Sequence, residues 1–295
     1  MLYLVKTILK SIVANFYMYF GFVNRAKKTI LEKNHIVSIY FHNPSLKTFN
    51  DCMYWLIKNN VDFIHAGDLL NEQTLPIQSN KIKVIVTVDD GWRENLLNII
   101  PIAHFNKIPI TIFVSTEPLI EGGGYWWSYI KVALKRGLTA CTVPFLKTVP
   151  NNNRLSIVKH LKSFIKIERE SMTVQELKSI AASPYIQIGA HTVTHAILTN
   201  CNDEQAATEI IDSKSILDAM LPNPVNSFSY PNGDHSEREV DLLKKNGYQL
   251  AFTNKPGFIK TNCKMDPYRL PRFEVLDNAP LNENICRMLG VWFKN

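Results

Sequence analysis

A chain of 295 residues, 46% hydrophobic and 20% charged, can bury a substantial core, and this composition argues against a disordered or low-complexity protein. The formal charge of +7 favours anionic surfaces, but the basic residues are scattered and not interleaved with aromatics, so nucleic acid is not expected as a partner. The five cysteines, Cys52, Cys141, Cys201, Cys263 and Cys286, show no CxxC spacing, which speaks against a disulfide framework or thiolate zinc site and for free thiols in a reducing compartment.

The first feature along the chain is an apolar, aromatic run from Ser11 to Val23, flanked by Lys6 and Lys10 before it and by Arg25, Lys27 and Lys28 after it. The run is shorter than the roughly 20 apolar residues a spanning helix needs, and no small-residue cleavage site follows it. Two readings stay open. In one, residues 1–28 form an interfacial helix with Phe16, Tyr17, Tyr19, Phe20 and Phe22 at the headgroup level, giving peripheral membrane contact. In the other, the helix packs on the domain's own core. The expected location is membrane-associated or cell envelope, with the cytoplasmic face preferred. Residues 1–34 are therefore treated as an amphipathic segment ahead of one domain, 35–295.

From His35 onward, short β-branched runs alternate with longer helical patterns, the signature of an α/β fold. The predicted strands are Ile36–Phe41, Lys83–Val88, Ile110–Val114, Ile186–Ala190, Ser227–Tyr230 and Leu250–Thr253. Helical patterns fall between them at Leu46–Lys58, Glu94–Phe105, Val174–Ala182, Glu204–Leu221 and Glu237–Lys245. The stretch from about 117 to 172 breaks the alternation with Gly122–Gly124, then Tyr125, Trp126 and Trp127, then a helical run Arg154–Glu168, and reads as an insertion. Its aromatic triplet would offer a flat apolar surface to a ligand, pack the insertion or touch lipid, and packing is preferred.

Three motifs lie at predicted strand ends: Thr87-Val88-Asp89-Asp90-Gly91, His191-Thr192-Val193-Thr194-His195 and Phe228-Ser229-Tyr230-Pro231-Asn232-Gly233. In α/β barrels such ends converge on one face, where active sites are built. Asp89-Asp90-Gly91 taken alone fits a turn, and a His pair taken alone fits a surface loop. Together they make more sense: two adjacent carboxylates closing an apolar strand need a cation or proton to compensate them. Two imidazoles and one carboxylate leave a position open on a metal, as catalytic sites do.

These residues resemble the polysaccharide deacetylase family with its NodB homology domain, from about His35 to Val275. The family's T-F-D-D-G motif appears as Thr87–Gly91, and its H-S/T-x-x-H motif as His191–His195. The Phe228–Gly233 segment is similar to the F-x-Y-P-x-G form of the poly-N-acetylglucosamine deacetylase branch. The resemblance implies a distorted (β/α) barrel with fewer than eight regular strands. It also implies Asp89 as general base and Asp90, His191 and His195 as ligands of one divalent metal ion, with zinc the first choice. The Tyr230 amide would hold the oxyanion, and Arg272 and Pro231 would touch substrate or brace the site, Arg272 by orienting the catalytic aspartate. The family's usual C-terminal L-x-x-H is missing, so the general acid is assigned to His42, with His235 competing. The implied activity is removal of an N-acetyl group from an amino sugar of a cell-surface polysaccharide or oligosaccharide. A deacetylase or deformylase of a lipid-linked sugar, and an inactive glycan-binding module, are the alternatives.

Overall fold

The computed structural model describes residues 2–70, 80–261 and 266–293, leaving Cys263 and the side chains of residues 1–8, Lys6 included, outside the description. Among the described residues, eight strands form one sheet: β1 (Val37–Phe41), β2 (Asp62–Phe63), β3 (Lys83–Val88), β4 (Ile110–Val114), β5 (Ile186–Ala190), β6 (Ser227–Ser229), β7 (Leu250–Phe252) and β8 (Phe273–Glu274). Their order is β7-β6-β5-β4-β3-β1-β8, with β2 paired on the start of β3, and every pairing is parallel. The fold is the distorted (β/α) barrel expected from sequence, with β2 and β8 only two residues long.

The central strands form because they are covered on both faces and so can be apolar throughout. In β3, Val84, Val86 and Val88 join the cluster beneath the outer helices, while Ile85 joins Ile36, Phe113, Leu250 and Phe252 in a separate inner cluster. One segment closes the barrel. Leu270 bridges Phe252 of β7, and three residues later Phe273 pairs with Ile39 of β1, so Arg272 lies on the seam between the two edges.

The predicted helix Glu94–Phe105 is two helices, Asn95–Asn98 and Ile100–Asn106, broken at Ile99 (φ −115°). Pro101 is the cause, because it lacks an N–H and restricts the residue before it, which makes it a helix starter. The 117–172 segment lies between β4 and β5. Its helices Trp126–Lys135, Val143–Leu146 and Asn151–Lys162 share a core of their own, built from Trp126, Tyr129, Ile130, Leu146, Val158 and Leu161.

The N-terminal segment folds as helices Leu2–Tyr19 and Phe22–Glu32, joined at Gly21 (φ 75°). One face of the first helix packs on helix Leu281–Met288: Asn282 Nδ2 donates to the Ser11 carbonyl at 3.0 Å, and Ala14 is fully buried. No helix among the described residues is long and apolar enough to cross a membrane.

Candidate active site

The period-two alternation of strands decides which side chains reach the barrel interior. Counting from the inner residue Ile85, Thr87 and Asp89 follow it inward. The same parity carries His42 in from β1, His191 from β5, Ser229 from β6 and Asn254 from β7. They meet in a cleft of about 420 Å³, lined among others by His42, Asp89, Asp90, His191, His195 and Asn254.

Asp89 is almost wholly buried and receives both terminal guanidinium nitrogens of Arg272, Nη1 to Oδ1 and Nη2 to Oδ2, each at 2.8 Å. Ser229 Oγ also donates to Oδ2, at 3.3 Å. Burial pushes this carboxyl up, but the Arg272 charge, with His191 and the hydrogen bonds, outweighs it and holds Asp89 below its ordinary value. Arg272 is itself fully buried: its other donors reach the Thr87 hydroxyl, the Thr253 carbonyl and Asn254 Oδ1, and its guanidinium lies 4.4 Å from the Tyr40 ring centroid. It touches the aspartate and does not line the cleft.

Alternation alone would send Asp90 outward, but its backbone is left-handed (φ 77°), an uncommon state for a residue other than glycine and one that clusters at functional sites, and Asp90 lines the same cleft. Trp92 Nε1 donates to Asp90 Oδ2 at 2.9 Å. The other oxygen, Oδ1, is buried with no hydrogen-bond partner, although His191 Nε2 stands 3.5 Å from it and His195 Nε2 3.2 Å. One ligand atom from each of the three residues falls within 4.8 Å of the others. Three donor atoms turned toward a common point, one of them a buried oxygen without a partner, fit a bound metal ion.

The imidazoles are prepared for that role. His191 Nδ1 is 2.7 Å from the Ser229 carbonyl, so it donates there and leaves the Nε2 lone pair free. Burial pushes the His195 imidazole down, which favours the neutral form a ligand requires. His195 (φ 51°) and Thr192 (φ 66°) are also left-handed. Their loop is held by Glu209, which accepts from the Val193 and Thr194 amides at 2.8 and 2.9 Å and from the Thr194 hydroxyl. Arg154, from the insertion, donates to the Thr194 carbonyl and hydroxyl.

His42 lines the cleft wall together with Asn43, Glu274 and Asp277. Asp277 Oδ2 accepts from the Asn43 amide, while its Oδ1 is buried without a partner. Burial pushes the Asp277 carboxyl up, against the pull of His42. His235 instead stacks on the Tyr230 ring, with its Nδ1 3.1 Å from the Gly233 carbonyl and no place in the cleft lining.

The role inferred for Tyr230 needs correction. Its amide donates to the Phe252 carbonyl at 3.1 Å, so the β6–β7 ladder has already claimed the donor meant for an oxyanion. Its side chain packs in the outer cluster, and its hydroxyl donates to the Tyr268 carbonyl. Pro231 is buried at the start of a short turn and does not line the cleft, whereas the next residue, Asn232, does.

Of the aromatic triplet, Tyr125 and Trp126 are buried, and the Tyr125 hydroxyl donates to the Asp90 carbonyl at 3.1 Å. Trp127 alone reaches the cleft, stacked on Tyr125 (4.7 Å between centroids) and edge-on to His195 (4.7 Å). Sequence reasoning missed Trp92, Ser229, Asn254, Glu274, Asp277 and Glu209. Parity from the motif residues would have found Ser229.

The family model for polysaccharide deacetylases matches residues 77–251. A Bacillus subtilis protein whose name describes a polysaccharide deacetylase, YxkH, is 32% identical over 250 residues, which is 85% of this chain and 72% of that one. Among solved structures, the Streptococcus pyogenes deacetylase PplD, in complex with acetate, is similar at a TM-score of 0.59 and 17% identity, covering 86% of this chain and 98% of its own. IcaB from Ammonifex degensii is similar at 0.60 and 17%, covering 86% and 97%.

Proposed function

This chain belongs to the polysaccharide deacetylase family, and we propose that it is a metal-dependent hydrolase that removes the N-acetyl group from an amino sugar of a cell-surface polysaccharide or oligosaccharide. One observation carries the reading: within one cleft, the Asp90, His191 and His195 donors stand beside a second buried carboxylate, Asp89, gripped by Arg272. A glycan-binding module has no use for that second carboxylate, whose desolvation costs several kcal/mol.

Asp90, His191 and His195 would hold one divalent ion, and an imidazole-rich set with an open position favours zinc. When bound, such an ion polarises an acyl carbonyl and acidifies the attacking water. Asp89 accepts the water proton, most readily at Oδ1, which takes one donor where Oδ2 takes two. The Arg272 fork fixes the direction from which that proton arrives. From the neighbouring strand end, one residue beyond the Phe41–Val88 pair, His42 gives a proton to the departing amine, and without it collapse to products slows by about 10²–10⁴. Trp127 and Asn232 flank the opening as surfaces for the sugar ring.

The test compares the native protein with Asp89→Asn and His191→Ala, measuring bound metal by mass spectrometry and acetate released from short N-acetylglucosamine oligomers. The expected pattern is metal kept in Asp89→Asn and lost in His191→Ala, with activity lost in both. A reconstituted native protein without metal would overturn the reading. Metal without acetate release would move the substrate to lipid-linked sugars.

A further inference from the structure

The first helix is covered on one face only, and the face left open is apolar. Ser11, Ala14, Asn15 and Tyr17 meet helix Leu281–Met288 and the Trp292 ring beyond it. Diametrically opposite, at helical spacing, Leu9, Ile12, Val13, Phe16, Tyr19 and Phe20 stand 61%, 58%, 37%, 49%, 86% and 53% exposed. The stripe is about 120° wide on a helical wheel, the width that normally faces a core. No element among the described residues covers it.

We propose that this stripe lies on an anionic lipid surface, with the helix in the plane of the interface. Three features select that occupant. The rings at the end of the stripe form a continuous patch, Phe16 against Phe20 at 4.3 Å and Tyr19 against Phe20 at 5.3 Å, as headgroup-level aromatics do. Residues 1–31 hold Lys6, Lys10, Arg25, Lys27 and Lys28 and no carboxylate; Lys10 and Lys28 stand 3.7 Å from Glu283 and Glu32 and Lys27 donates to Asn59, and the positive balance of the segment complements a negative surface. A second copy of the chain would instead bring two such basic segments together across a symmetric contact, with repulsion. The covered face fixes the helix to the domain, with Asn282 Nδ2 donating to both the Ser11 carbonyl and its hydroxyl.

Flotation of the full-length protein with vesicles decides the matter, using phosphatidylcholine alone and phosphatidylcholine with about one third phosphatidylglycerol, the mixture that supplies surface charge. The native chain is expected to float with the anionic vesicles and only weakly with the neutral ones, and to be released as salt screens the attraction. The Ile12→Glu/Phe16→Glu double variant should lose about tenfold or more in vesicle binding, since two large apolar side chains leave the interface. Circular dichroism and the melting temperature check that the double variant folds, and Arg25→Gln/Lys28→Gln supplies a milder variant expected to weaken anionic binding alone. Absence of flotation overturns the proposal, as does equal flotation of native and double variant. A native dimer in solution that the double variant abolishes, without vesicle binding, would assign the stripe to a second copy instead.

Discussion

Arg272 and Asp89, 183 residues apart in sequence, meet through two parallel hydrogen bonds of 2.8 Å inside the barrel. A lysine can supply the charge but not the planar fork, so the pair separates orientation from electrostatics. Arg272→Lys should lower kcat by about tenfold to a hundredfold with metal content unchanged, because the base is misdirected while Asp90, His191 and His195 are untouched. Arg272→Gln leaves Asp89 buried and unpaired, which costs about 3–5 kcal/mol and should lower the melting temperature well below that of the lysine variant. Equal activity in native protein and Arg272→Lys would mean that the fork does not aim the base.

His42, the acid expected from sequence, and its competitor His235 occupy different places in the fold. His42 stands in the cleft beside Asp277, and His235 stacks on Tyr230 away from the lining. His42→Gln is expected to cut kcat by about 10²–10⁴ with metal still bound, while His235→Gln stays within a few-fold of native. A large loss in His235→Gln alone would reverse the assignment.

What could be read in the sequence was what burial had written into it. Strands β3, β4 and β5 were placed to the residue because covered parallel strands are largely apolar runs, and Asp90, His191 and His195, which the structure brings together, follow the ends of such runs. The closing segment escaped notice: β8 is two residues long, and Glu274 and Asp277 reach the cleft only because Leu270 and Phe273 join opposite edges of the sheet. Arg272 could be named from a motif, but its complete burial was invisible, since an arginine beside a short edge strand ordinarily faces water. Tyr230 shows the reverse. Its motif was recognisable, yet a motif does not say which amides the neighbouring strand will take.

Glu239 offers a pH-dependent check on the helix Glu237–Lys245, which joins β6 to β7. It closes the capping box with Ser236 and pairs with Arg238, whose guanidinium also donates to the Leu198 and Cys201 carbonyls. Burial pushes its carboxyl up, but the Ser236 and Arg238 hydrogen bonds prevail and hold it below the ordinary 4.5. A lowered folded value means that the stabilisation is fully present above the unfolded value and is lost as pH falls through the folded one. Glu239→Gln should therefore destabilise by about 1–2 kcal/mol near neutral pH, read as a lower denaturant midpoint. The gap from native should narrow below about pH 4, near the ordinary glutamate value. A gap independent of pH would show that packing, not charge, is what the glutamate contributes.

Glu209 is the buried carboxylate that ties down the His191–His195 loop. It accepts two successive amides and a hydroxyl from Val193 and Thr194, the residues between the two histidines, and thereby holds His195 in its left-handed backbone. Burial pushes its carboxyl up, and the hydrogen bonds from Thr194 and Val193 pull it back. A glutamine at this position has one acceptor oxygen and would turn an N–H group toward donors, so Glu209→Gln should loosen the loop without removing a ligand. Metal affinity is expected to fall about 10–100-fold, measured by competition with a chelator, while circular dichroism stays native. Because the ligands remain, excess metal should restore activity to Glu209→Gln but not to His191→Ala. If excess metal fails to rescue Glu209→Gln, the carboxylate shapes the cleft itself; if affinity is unchanged, the neighbouring Arg154 clamp on Thr194 suffices to hold the loop.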